Sequence, residues 1–359
     1  MKYLFSFLIF LYLLSCSDSN SVENNVTNGN GSGGSGNNNS SWSIDKDKVF
    51  DGGPGKDGIP ALLDPKLINA SSAGYLSDSD LVIGIKDGDQ IIAFPHRILD
   101  WHEIINIDIN DKSIAVTYCP LTGTGIGWNR NIANTKTTFG VSGLLYQNNL
   151  IPYDRETDSN WSQLKLECVN GVLKGSKPDV TVLPEMNWGV WKKIYPQTKV
   201  ISLDTGFSRD YGNYPYGGYK TDNNYFIFPV ASLVNNIPAK ERVHVIISNG
   251  NAKVYRFNNF NDGKVIKDSS FQSTTNLIVG NQDFIISFQL DKNTKDLNFT
   301  YNFKGDEIIL SDNEGNQWSI FGEAISGPRK GSFLEFSKTS MMAYYFSLES
   351  FYPNLIIFN

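Results

Sequence analysis

Cys119 ends the alternating run "SIAVTYC" (113–119). Pro120 follows at once, and Gly123, Gly125 and Gly127 come at alternate positions after it. A proline stops a strand's hydrogen-bonded ladder, and glycines let the backbone turn sharply or approach a ligand closely. A thiol held at such an edge could serve as a nucleophile, a redox centre or a ligand for a soft metal such as copper. Two more groups with usable chemistry, His102 and Glu103, lie upstream in "DWHEIIN". An imidazole beside a thiol stabilises the thiolate or adds a metal ligand. The connection from a helix bearing His102 to a strand ending at Cys119 is short, which makes the two elements neighbours. The expectation is a Cys119–His102 site with a lowered thiol pKa and with Glu103 in support. The plainer alternatives are a Cys119 buried as a small hydrophobe and a core His102 satisfied by a carbonyl.

Asp154 and Arg155 precede "ETDSNWS", which contains Trp161. A structural ion pair and turn accounts for them better than catalysis, so they count as supporting residues. Cys168 reads as a buried small side chain, although an oxidising compartment would permit a Cys119–Cys168 disulfide. His96, near the helix start, reads as a capping or surface residue, and His244 carries no assigned role. No P-loop, dinucleotide fingerprint or paired-cysteine zinc signature is present, and three histidines in all argue against a three-histidine metal site.

The elements that must position these residues are mostly strands. "LVIGIKDGDQIIAFP" (81–95) and "VHVIISNGNAKVYRF" (243–257) share a pattern of apolar run, two-residue turn and alternating run. Asp87-Gly88 and Asn249-Gly250 are the hairpin turns. Further on, "SIAVTYC" pairs with "DFIISFQ" (283–289), which sets Cys119 opposite Gln289, His102 opposite Gly263 and Glu103 opposite Lys264. "YDRETDSNWSQLKLECVNG" (153–171) pairs with "LSDNEGNQWSIFGEAISG" (310–327), which sets Trp161 opposite Trp318 and Cys168 opposite Ala324. Both copies end in an aromatic helical stretch closed by Tyr-Pro. The fold expected is mainly β (α+β), two diverged copies of a β-rich module with a few short helices, including 96–106 and 187–195. The first copy spans 46–203 and the second 238–359, with a Tyr/Gly-rich connecting loop at 204–237. Features of one copy only are the candidates for function.

The N-terminus suggests an address. Lys2 precedes an apolar run, Leu4 to Leu14, too short for the roughly 20 residues that cross a bilayer. It has the form of a signal peptide, 1–15. Its end, Leu13-Leu14-Ser15-Cys16, resembles a bacterial lipoprotein box in which Cys16 is lipidated. Residues 16–45 are an Asn/Gly/Ser-rich tether. The protein expected is lipid-anchored in the cell envelope, at the outer membrane of a Gram-negative bacterium, with the membrane as its partner. Basic residues number 31 against 37 acidic ones, with no basic block, which argues against nucleic acid.

The stretches "GGPGKDGIPALLDP", "ILDWHEIIN", "VTYCPLTGTGIGWNR", "TTFGVSGLLYQNNLIPYDRETDSNWSQ" and "RDYGNYPYGGY" resemble, in order, the bacterial domain of unknown function 3179. The resemblance is strong over roughly residues 51 to 240 and weak in the second copy. That family includes selenoproteins as well as cysteine forms, which implies a chemically used thiol at Cys119. Some members carry a second cysteine three residues later, where this chain has Thr122. Three readings follow: a Cys–His site for soft-metal binding or thiol redox, an enzyme with Cys119 as nucleophile and His102 as base, or an interaction lipoprotein that uses the Tyr-rich loop. Protein and small-molecule partners are left open.

Overall fold

The computed structural model describes residues 41–230, 233–234 and 236–358. The signal segment, Cys16 and most of the tether lie outside the described residues. The unit from Ser40 to Asn359 is compact; its described residues are mainly β, with seven sheets and three short α-helices: α1 (His96–His102), α2 (Trp188–Ile194) and α3 (Tyr345–Phe351). No described helix is long and apolar enough to cross a membrane.

Six of the sheets come in matching pairs. In the first copy the hairpin Leu81–Asp87 and Gln90–Pro95 is flanked by antiparallel Glu185–Asn187 and parallel Lys199–Ile201. In the second, Arg242–Ser248 and Asn251–Arg256 are flanked by antiparallel Ser340–Tyr344 and parallel Ile356–Ile357. The meander Ile104–Ile109, Lys112–Cys119, Thr124–Asn129 with edge strand Val180–Thr181 recurs as Lys264–Phe271, Thr274–Gly280, Ile285–Leu290 with Glu335–Phe336. The series Phe139–Tyr146, Asn149–Asp154, Asn160–Ser162, Glu167–Asn170 recurs as Phe299–Tyr301, Ile308–Asp312, Gln317–Ser319, Ala324–Ser326. The first copy adds short edge strands at Val49–Asp51, Leu62–Leu63 and Leu67–Asn69. Both closing helices end alike, with the N–H of Tyr195 on Trp191 O and that of Tyr352 on Leu348 O, each at 2.8 Å.

Three local expectations are corrected. The first hairpin turns at Gly88-Asp89, one residue later than expected, because Asp87 still pairs with Gln90; the matching turn is Asn249-Gly250. The strand ending at Cys119 corresponds to Thr274–Gly280 and not to residues 283–289. Cys119 faces Thr124 across a four-residue connection, as Gly280 faces Ile285, so Gly280 stands where Cys119 does. Continuing the two meander registers places Lys264 opposite His102. The helix expected over 96–106 stops at His102: Glu103 takes φ 56, ψ −33, outside helical space, and Ile104 begins a strand. Ile104 and Ile105 are buried within that strand.

The copies are interleaved in their packing. Val82 and Ala93 of the first hairpin sheet pack with Leu277, Val279, Phe288 and Trp318 of the second copy. Val243, Val245 and Val254 of the second hairpin sheet pack with Ala115, Trp128, Phe139 and Trp161 of the first. The opposite faces pack within their own copies, Ile83 and Phe94 with Ile105 and Val116 and Ile246 and Tyr255 with Ile266 and Ile278, so neither hairpin sheet has a solvated apolar face.

Candidate functional site

Cys119 is buried among Leu121, Leu150 and their neighbours. Its Sγ lies 3.5 Å from Asn148 O. Burial, with the nearby Glu103 carboxyl second, pushes the thiol up to about 11. His102 is also fully buried, and both ring nitrogens are occupied, Nδ1 by Pro60 O at 2.7 Å and Nε2 by the Tyr211 hydroxyl at 2.6 Å. Burial lowers its pKa; a neutral ring donating to the carbonyl and accepting from the phenol satisfies both contacts. The expectation of an imidazole-activated thiol with a lowered pKa is therefore corrected, because desolvation acts on both groups and the ring already has its partners. Cys119 and Cys168 are both free thiols. No three His, Cys, Asp or Glu side chains gather as a metal site among the described residues.

The motif residues around the turn form a buried polar network. Asn149 Nδ2 donates to Thr122 Oγ1, Thr124 Oγ1 and Gln163 Oε1 at 2.9, 3.1 and 2.8 Å. Thr124 donates to Gln163 Oε1 at 2.6 Å, and Gln163 Nε2 donates to Thr117 Oγ1 at 3.0 Å. Leu164 N–H closes the set on Asn149 Oδ1 at 2.9 Å. These bonds clamp the segment after Cys119 onto two neighbouring strands. The glycines have separate duties. Gly123 takes φ +61 at the turn, and a Cβ on Gly125 would fall 2.3 Å from Ile83. Thr122 serves as a fully buried hydrogen-bonding residue.

Asp154 accepts from Thr157 N at 2.7 Å and from Trp161 Nε1 at 2.9 Å. In the second copy Trp318 Nε1 bonds Asp312 at 2.8 Å, so the two tryptophans hold equivalent places. Arg155 pairs with Asp57 at 2.6 Å and bonds Phe139 O at 3.2 Å, which corrects the idea of an Asp154–Arg155 pair. The Tyr-rich loop folds over the same turn. Tyr214 donates to Pro120 O at 3.2 Å, Tyr219 to Leu121 O at 3.0 Å, and Tyr216 to Glu103 Oε1 at 3.4 Å.

Between this loop, α1 and the turn lies a cavity of about 370 Å³ lined by His96, Asp100, Tyr118, Tyr214, Lys220 and Tyr344, among others. His96 and Asp100 stand one turn apart on α1. Asp100 is 5% exposed, and no described residue donates a hydrogen bond to its carboxyl; its nearest cation, Lys220, is 3.9 Å away. Burial raises its pKa to about 6, against the pull of Lys220, His96 and Arg97. The ring of His96 lies 4.4 Å from that of Tyr118, and its Nε2 is 3.3 Å from Glu185 Oε2 but angled so that no hydrogen bond forms. The other cations at the wall are engaged: Arg97 on Asp80 at 3.0 and 3.1 Å and Arg242 on Glu185. Lys240 lies 3.0 Å over the Tyr219 ring, and burial brings its pKa down to about 7. Sequence reasoning passed over Asp100 and read His96 as a capping or surface residue, which is corrected: His96 is buried at the cavity wall and caps nothing. Their four-residue spacing on a helix was the available signal, together with Phe257 standing where the first copy has His96.

The described residues form a mainly β protein whose sheets fall into matching sets, with a polar cavity beside the glycine-rich turn lined from α1, the Tyr-rich loop and Tyr344. Residues 56–355 match the family model described as Protein of unknown function (DUF3179), and the chain belongs to that family. No curated protein and no solved structure matches it.

Proposed function

We propose that this chain is a lipid-anchored ligand-binding protein of the cell envelope, and that the cavity under the Tyr-rich loop takes a small hydroxylated organic ligand of about sugar size. The observation that carries this reading is the buried Asp100 carboxyl, which accepts no hydrogen bond from the described residues and faces a cavity of about 370 Å³ with Lys220 3.9 Å away. An enclosed pocket with a few convergent polar groups and a perturbed pKa is the usual form of a small-molecule site. Tyr118 and Tyr344 supply hydroxyls that no described residue hydrogen-bonds, Asp100 and Lys220 supply charge, and the phenol rings supply flat apolar faces. Leaving such groups without partners costs about 1–3 kcal/mol each, which a ligand's hydroxyls would recover. The Leu13-Leu14-Ser15-Cys16 ending and the Asn/Gly/Ser tether support the anchor.

A second reading, in which Asp100 and His96 also transfer protons on the bound ligand, is favoured by the carboxyl's pKa of about 6. Thermal-shift screening against monosaccharides, sugar acids and alditols tests binding. At least one class should raise the melting temperature of the native chain and fail to do so with Asp100→Asn or Tyr118→Phe. No shift across the panel, or an equal shift with both variants, would overturn the proposal. Chemical change of the bound compound would select the second reading. For the anchor, Cys16→Ala should release the protein from the membrane fraction or block its processing, and unchanged fractionation and processing would contradict it.

A further inference from the structure

A second cavity, of about 200 Å³, lies on the other side of the Tyr-rich loop. Its walls are apolar, with Val141, Leu145, Leu150 and Phe228 prominent, and the one ionisable carboxyl on them is that of Glu103. Glu103 is 5% exposed. Its sole side-chain hydrogen bond among the described residues is the long one from Tyr216, at 3.4 Å. Its backbone sits at φ 56, ψ −33, a conformation that costs a non-glycine residue about 1–3 kcal/mol and that clusters at functional positions. Glycine or asparagine is the usual residue at a helix end of positive φ. Here the chain instead carries a carboxyl into an apolar pocket.

We propose that this pocket is a binding site for a small apolar amine, whose ammonium group pairs with Glu103 while its body fills the space between the leucines and Phe228. Size fits, since an apolar cavity of about 150 Å³ accommodates benzene. Charge fits as well: no cation among the described residues pairs with Glu103, and the aromatic rings of Tyr216 and Phe228 line the pocket, a surface that attracts an ammonium. The titratable groups facing Glu103 are Tyr216, Asp100 and Cys119, none of them cationic. His102, next in the chain, turns its ring to Pro60 and Tyr211. Burial holds the Glu103 pKa at about 8, so at neutral pH the empty site is protonated. Binding then balances as RNH3+ plus the carboxylic acid giving the ammonium–carboxylate pair and one released proton. This site is separate from the polar cavity and does not rest on it.

The test uses the full chain with 2-phenylethylamine and its neutral isostere 2-phenylethanol, by isothermal titration in buffers of different ionisation enthalpy. The amine should bind more tightly, with release of close to one proton at pH 7. Its affinity should rise up to about tenfold per pH unit until Glu103 is ionised. Glu103→Gln should weaken the amine by at least about tenfold and leave the alcohol within about threefold. Leu145→Phe, which fills the pocket without touching the carboxyl, should abolish both. Equal or tighter binding of the alcohol, no proton release, amine binding unchanged in Glu103→Gln, or no binding of either probe would each overturn the proposal.

Discussion

The turn after Cys119 and its counterpart after Gly280 occupy the same place in two copies of one module, yet their cores are opposite in kind. Around the first turn, Thr117, Thr124 and Gln163 belong to a buried hydrogen-bond network. In the second copy the same places are held by Ile278, Ile285 and Ile320, all buried. The second copy shows that the module folds with plain apolar packing. A polar network there is high-stakes, since it helps only when every member is satisfied. Its presence in the first copy alone indicates that the Cys119–Gly123 segment is held in place for the cavities it walls. The Cys119 position differs in the same way: Gly280 has no room for a side chain, since a Cβ there would lie 2.7 Å from Phe284 O, whereas the first copy has room for a thiol.

The comparison breaks most sharply at Gln163. Gln163→Ala should cost about 3 kcal/mol by urea denaturation, because it strands buried groups on Thr117, Thr124 and Asn149 at once. Gln163→Ile combined with Thr117→Ile, Thr124→Ile and Asn149→Leu, which gives the first three positions the isoleucines of their counterparts and removes the network's last member, should lose less than that single change. A larger loss for the combined variant would mean that the network is needed to fold. Trp161→Phe and Trp318→Phe should each cost about 2 kcal/mol, since each breaks the indole hydrogen bond to an aspartate, at Asp154 or Asp312. Clearly unequal losses would weaken the equivalence of the two copies. Gly280→Cys should cost about 1–3 kcal/mol through overpacking, and Cys119→Ala about 1 kcal/mol.

Legibility followed periodicity. The strand repeat, the Trp161–Trp318 equivalence, the Cys168–Ala324 pairing and the two Tyr-Pro helix ends could be read because alternation and aromatic spacing survive divergence. The pairing of Cys119 slipped by a whole strand because adjacent strands of one meander share the same alternation, so "SIAVTYC" fits either. The helix end was misread because nothing in "WHEIIN" announces a non-glycine residue at positive φ. Site chemistry was the least legible part. His102 and Cys119 have the right residue types, but their burial and partners come from Pro60, Asn148 and Tyr211, distant in sequence. Asp100 and Lys220 lie 120 residues apart and meet only through the loop's fold.

A pH slope tests the Glu103 pocket independently. Glu103 is protonated in the folded chain up to about 8, against about 4.3 for a free glutamate. Between those values the native state holds more protons than the unfolded one, so this residue's contribution to stability falls as pH rises from about 4.3 towards 8. Glu103→Gln should flatten that part of the Tm–pH profile and raise Tm more at pH 8 than at pH 5. An unchanged slope would place the acid elsewhere.

The central claim is that the cavity carboxyl, and not the thiol, is the functional centre of the first copy. It is tested most directly by titrating the hydroxylated ligand that stabilises the native chain best into Asp100→Asn and Cys119→Ala. The account predicts a loss of at least about tenfold in affinity for Asp100→Asn, equal to about 1.4 kcal/mol, with Cys119→Ala within about twofold of the native chain. Loss of binding on removing the thiol, with Asp100→Asn unaffected, would contradict it.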